Sequence, residues 1–162
     1  MAQPKRLRGI SYVGPAAYFV TTVTLNRTKA FSELEFGRFA AQALIEIAGR
    51  EDFALSAYCL MPDHGHLLLS ATSERSDLRR MVSSWKQGTG FAWSRIHSQR
   101  LWQHGYWERV LRDGENTLST ARYVIENPVR AGLVREPSDY PLVGSTLYKI
   151  DEITTAVRRG VL

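Results

Sequence analysis

Residues 58–70 read YCLMPDHGHLLLS, and the alternation around them decides the fold. Ala57 to Met61 has the pattern of a short strand, Pro62-Asp63 turns the chain, and Gly65 to Leu69 runs back, which predicts a β-hairpin. Side chains two apart in a strand share a face, so His64 and His66 stand side by side while Gly65 faces away. Two imidazoles can then reach one ion. The plain Leu67-Leu68-Leu69 that follows predicts burial on both sides, which puts the histidines at the mouth of a core strand, on a rigid element. A His-x-His spacing by itself also describes a surface or hydrogen-bonded pair, so metal binding needs a partner elsewhere in the chain.

Before the hairpin, Ala17 to Leu25 is rich in Tyr, Phe, Val and Thr without a helical period and reads as the first strand, turned by Asn26-Arg27-Thr28. Ser32-Glu33-Leu34-Glu35 has the form of a capping box. It predicts a helix whose Phe36, Phe39, Ala40, Ala43, Leu44 and Ile47 make one apolar stripe, ended by Gly49. After the hairpin, Asp77 can cap a second helix with Leu78, Met81, Val82 and Trp85 buried and Arg79, Arg80 and Lys86 facing outward. Gly88-Thr89-Gly90 interrupts that pattern before Phe91 to Ile96 resumes it, so a broken helix or two helices with a bend are expected. Trp85, Trp93 and Trp102 beside these basic residues allow bases to stack along a groove, although helical spacing favours core packing for at least two of them.

Tyr106 to Arg112 alternates as a further strand, closed by Asp113-Gly114. A third helix is expected from about Asn116 to Glu126, ending where Pro128 pushes Asn127 away from helical angles. At 100° per residue, Leu118, Ala121, Val124 and Ile125 share one face, and Tyr123 and Asn127 fall together on the opposite one. Being four apart, the phenol and the amide can act on one point in space. Beyond Tyr140 the alternation is too weak to assign, and the tail of about residues 141–162, with Arg158 and Arg159, is a docked arm or a partly disordered one.

The 162 residues suit a single domain with a true core, and 44% hydrophobic residues excludes disordered and collagen-like classes. A formal net charge of +5, with arginine far outnumbering lysine, points to an anionic partner, most often nucleic acid, though solubility alone also accounts for such a charge. Residues 1–10 include the basic run PKRLR, a floppy terminus or a phosphate-contacting strip carrying Arg6 and Arg8. Cys59 is the lone cysteine, so no intrachain disulfide can form, and a structural thiol in a cytoplasmic protein is expected. No run approaches the roughly 18 apolar residues of a membrane span, and MAQPKRLRGI leads into strand-like AAYFVTTVTL rather than a signal sequence.

LMPDHGHLLL, the later stretch LWQHGYWERVLRD and the block ARYVIENPVRAGLV (residues 121–134) form three ordered motifs between roughly Arg8 and Tyr140. In these the chain resembles the single-tyrosine HUH transposases, and within them the REP-associated tyrosine transposases of bacteria. The resemblance implies an α+β fold with a central antiparallel sheet flanked by helices, ferredoxin-like, with the histidines on a central strand. It further implies that His64 and His66 hold a divalent ion, that Tyr123 is the nucleophile, and that Asn127 is a candidate third ligand. Glu108, His104 or water are the alternatives to Asn127. Ligand chemistry alone favours zinc or another imidazole-loving metal, whereas the family implies magnesium or manganese.

The activity implied is nicking and joining of single-stranded DNA at hairpin-forming palindromic repeats, by a monomer or homodimer in the bacterial cytoplasm at the nucleoid. Arg6, Arg8, Arg79, Arg80, Lys86 and Arg130 are candidate phosphate contacts, which position DNA rather than specify sequence. The other reading is a domesticated relative that binds folded single strands without cutting. Gly65 departs from the family's usual bulky hydrophobic residue, so a lost packing side chain and a looser strand are expected there.

Overall fold

The computed structural model describes residues 13–14, 16–112 and 117–158. The arm with Arg6 and Arg8, the Asp113-Gly114 turn, Asn116 and Arg159 lie outside the described residues. The elements in chain order are β1 (Ala17–Val23), α1 (Leu34–Arg50), β2 (Phe53–Met61), β3 (His64–Ala71), α2 (Leu78–His97), β4 (Trp107–Leu111), α3 (Thr117–Arg130), β5 (Val143–Gly144) and α4 (Ile150–Arg158). The strands pair antiparallel in the order β4-β1-β3-β2-β5, which places the histidine strand in the middle. The fold is α+β, and its first six elements follow the ferredoxin-like order.

Strand parity divides the side chains between two cores. Tyr18, Val20, Leu60, Leu67 and Leu69 face α1 and α2, whereas Ala57, Cys59, Leu68 and Leu111 face Ala121, Val124 and Ile125 of α3 and Ile153 of α4. All three leucines of Leu67-Leu68-Leu69 are fully buried, as the unbroken apolar run predicts. A β-bulge between Leu55 and Ala57 resets the phase of β2, sending Leu55 to the first core and Ala57 to the second. Burial pushes the Cys59 thiol up to about 12, so it is an inert core group.

Several expectations are corrected. Ser32 does not cap α1; it ends a short 3-10 turn, and Glu33 is the N-cap, without a side-chain bond. Within the stripe of α1, Phe39 is exposed because the helix rests on the sheet along Phe36, Ala40 and Leu44. α2 runs unbroken through Gly88-Thr89-Gly90. Thr89 is fully buried there, its hydroxyl donating to the Trp85 carbonyl at 2.7 Å and accepting from Trp102 Nε1 at 2.9 Å, so packing outweighs the glycines' weak helical preference.

Trp85, Trp93 and Trp102 are all core, which removes them as base-stacking platforms. Asp77 does cap α2, accepting from the Arg80 N–H. At Gly65, a Cβ would meet Leu60 Cδ2 and Thr22 Oγ1 at 3.1 Å and Trp85 Cη2 at 3.7 Å. Neighbours thus fill the space that the missing side chain leaves, and β3 keeps its pairing on both sides.

α3 continues past Asn127 and takes Pro128 into its last turn. Gly132, at φ +70°, closes the helix, with Gly132 N–H donating to the Val129 carbonyl and Leu133 N–H to the Pro128 carbonyl, both at 2.9 Å. This Schellman closure supplies bonds that hold the turn after the proline. The tail is a docked arm through residue 158. Leu142 is buried, β5 pairs with β2, and the Tyr140 hydroxyl donates to the Leu60 carbonyl at 2.9 Å.

Candidate active site

His64 and His66 project from β3 toward α3, on the same face as Phe19 and Thr21 of β1 and Trp107 and Arg109 of β4. The two imidazole centroids are 4.9 Å apart. Each ring has its Nδ1 engaged by a neighbour. The Asp63 carboxylate accepts from His64 Nδ1 at 2.6 Å, and the Thr21 hydroxyl lies 3.0 Å from His66 Nδ1. The Asp63 carboxylate can only accept, so it sets the proton of His64 on Nδ1; at His66 the Thr21 hydroxyl occupies Nδ1, and both rings are left with Nε2 as the nitrogen that can ligate an ion. Burial, then the charges of His64 and Arg130, hold the His66 imidazole down at about 4, so it keeps its lone pair well below neutral pH. A buried neutral imidazole beside a second one fits a divalent cation.

Across from the histidines, α3 presents Tyr123. Its ring lies 5.8 Å from that of His66, and Phe19 packs against both, stacked on His66 at 5.6 Å and edge-on to Tyr123 at 5.9 Å. Unlike the tyrosines of the core, Tyr123 is 42% exposed. Its carbonyl accepts from Asn127 Nδ2 at 2.7 Å and from Arg130 Nη2 at 3.0 Å, and the Arg130 guanidinium stands over the ring at 4.4 Å. Both side chains hold the Tyr123 carbonyl, one residue before the Val124 carbonyl that Pro128 leaves without its helical donor, and so fix the stretch that carries the phenol. With Nδ2 so occupied, Oδ1 is the atom of Asn127 that could serve an ion.

Among the other candidates, Glu108 points to the opposite side of the sheet, since it pairs with Val20 of the α1/α2 core. His104 lines a cleft of about 860 Å³ between α2 and the 98–106 segment. Arg79, Arg80 and Lys86 are on α2 and are not brought to the histidine face. Arg80 pairs with Glu51. Lys86, expected to point outward, turns in, with Nζ donating to the carbonyls of Gln103 at 2.9 Å and Gly105 at 2.5 Å. Its burial, followed by the charge of Arg100, lowers it to about 8. Among the described residues, no three His, Cys, Asp or Glu side chains gather as a metal cluster.

Sequence reasoning missed Thr21, Asp63, Phe19 and Trp107. Asp63 was readable as the neighbour of His64, but Thr21, Phe19 and Trp107 reach the site through strand pairing that only the sheet order reveals.

A histidine pair on the central strand facing a tyrosine on a packed helix defines this chain's class, and it belongs to the family described as Transposase IS200 like, whose pattern matches residues 13–127. The match spans the hairpin, Tyr123 and Asn127. A REP-associated tyrosine transposase of Escherichia coli K12 is 23% identical over 146 residues, covering 86% of each chain. A Haemophilus influenzae protein provisionally given the same designation is 24% identical over 135 residues, covering 76% of each. A solved REP-associated tyrosine transposase, bound to a REP hairpin, superposes with a TM-score of 0.70 at 22% identity, over 100% of this chain and 88% of that one. At that identity what the two share is the fold. No helix among the described residues is long and apolar enough to cross a membrane.

Proposed function

We propose that this chain nicks and rejoins single-stranded DNA at hairpin-forming palindromic repeats in the bacterial cytoplasm, with Tyr123 as the nucleophile. The observation that carries the reading is the exposed phenol of Tyr123 set 5.8 Å, ring to ring, from His66 on the facing strand. Tyr123 Oη would attack the scissile phosphorus, forming a 5′-phosphotyrosine as the bond to the 3′-oxygen breaks. The phenol proton is lost to solvent, and the departing oxygen takes one up as a 3′-hydroxyl. Rejoining reverses the exchange with a new 3′-hydroxyl, so no ATP is needed.

His64 and His66, with Asn127 as third ligand, would hold magnesium or manganese, which supplies Lewis acidity at the scissile phosphate and orients it for in-line displacement. Thr21 and Asp63 keep the imidazoles in register for that role. Arg130, over the Tyr123 ring, holds positive charge where the DNA phosphate arrives. A hairpin partner is supported by the REP hairpin bound to the structural relative.

The test incubates labelled single-stranded hairpin oligonucleotides with protein and manganese or chelator, then runs denaturing gels. The expected result is a covalent adduct that requires metal and vanishes in Tyr123→Phe. An adduct that persists in Tyr123→Phe would remove the nucleophile assignment, and tight binding without any adduct would leave a recognition protein.

A further inference from the structure

Beside Tyr123 the sheet face carries a second small feature. Phe19, Trp107, Arg109, Ser119, Thr120 and Tyr123 line an open hollow of about 280 Å³, just under the usual range for sites that hold drug-sized molecules. It has room for one planar ring system. Trp107 and Tyr123, 43% and 42% exposed, both border it. The Phe19 ring stands between them, with Trp107 edge-on at 5.7 Å and Tyr123 edge-on at 5.9 Å.

Trp107 differs from the chain's other indoles, because Trp85, Trp93 and Trp102 are sealed in the core. It sits on β4, an edge strand, and strand parity turns it to the histidine face, opposite Thr21. An indole half open to water on a rigid strand has no packing role that needs its exposed surface. Stacking on a nucleobase would use that surface, and every base offers a π-face. Arg109, Ser119 and Thr120 complete the lining beside the two rings.

We propose that this pocket receives one unpaired nucleobase next to the scissile phosphate, stacked on Trp107, and so fixes which phosphate reaches Tyr123. The proposal rests on the strand-cutting reading for the path of the DNA, and Trp107 is a positioning residue within it.

The experiment measures binding by fluorescence anisotropy in chelator, so that no strand is cut. The probes are hairpin oligonucleotides with short single-stranded flanks, in which each flank nucleotide in turn is replaced by an abasic site. In the wild type, one abasic position is expected to weaken binding by about tenfold, within the range of base–aromatic stacking. Trp107→Ala should weaken binding of the intact probe by a similar factor and erase the penalty at that one position, while Trp107→Phe keeps most of both. 2-Aminopurine placed at the same position in the wild type should lose fluorescence on binding, a readout that needs no variant.

The proposal is overturned if the abasic penalty survives in Trp107→Ala, if no flank position carries a penalty, or if 2-aminopurine is unquenched throughout the flank. Its failure is separable from that of the strand-cutting reading, because the adduct assay on the same probes reports cutting independently of how Trp107 and the abasic site couple.

Discussion

β3 keeps different company on its two faces. Toward α1 and α2 it shows Gly65, Leu67 and Leu69, packed among fully buried residues such as Trp85, Met81 and Leu44. Toward α3 it shows Leu68, which is sealed, and then His66 and His64, where the packing opens and a phenol, an indole and a guanidinium take the place of leucines. The first face supplies the rigidity. The second spends it, holding two imidazoles and a tyrosine in a fixed relation that a loop would not maintain.

That contrast is open to direct attack. Trp85→Ala should lower stability by about 3–5 kcal/mol in denaturant unfolding, the cost of emptying a large aromatic site in a core. Tyr123→Phe should change stability by less than about 0.5 kcal/mol, as for an exposed position, while abolishing the adduct. Comparable losses of stability from both would mean that the faces are not divided in this way.

A pH series sharpens the same point. His66 titrates at about 4 in the folded protein and near the ordinary 6.5 when unfolded, so the unfolded chain takes up its proton first. The stability this contributes to the metal-free protein is full above pH 6.5 and is lost as pH falls toward 4. At 1.36 kcal/mol per unit the loss is on the order of 3 kcal/mol. Urea melts in chelator between pH 7 and pH 4 should show that slope, and His66→Gln should flatten it. A smaller effect is expected from Thr21→Val, which removes the hydroxyl beside His66 Nδ1 and should weaken manganese binding by about tenfold or more in calorimetry, with little change in stability.

Most of this organisation was legible in the chain. The hairpin, the buried leucines and the opposed faces of α3 follow from periodicity, because burial on one face dictates which residues recur at two or at 3.6, and the Asp77 cap follows from a side chain that can accept from the first turn's N–H groups. The misreadings share a cause in tertiary contacts. Gly88-Thr89-Gly90 looks like a break until Trp102 reaches across to Thr89, and Pro128 looks like a stop until the Gly132 and Leu133 N–H groups are seen to close the turn after it. Lys86 seemed a solvated charge, yet the 103–105 segment turns two carbonyls onto it. For the site, local spacing pairs the histidines and places Tyr123 on the open face of its helix. It cannot say that β1 lies between β3 and β4, and that order alone brings Phe19, Thr21 and Trp107 alongside.

The most direct test of the central claim is to find which residue the DNA becomes attached to. Trypsin cutting after Arg122 and Arg130 releases Tyr123–Arg130, YVIENPVR, as one peptide. After reaction with a hairpin oligonucleotide in manganese and nuclease trimming, mass spectrometry should find the nucleotide remnant on this peptide, at Tyr123. A remnant on another peptide, such as the one carrying Tyr106, would contradict the account and move the nucleophile away from the histidine pair.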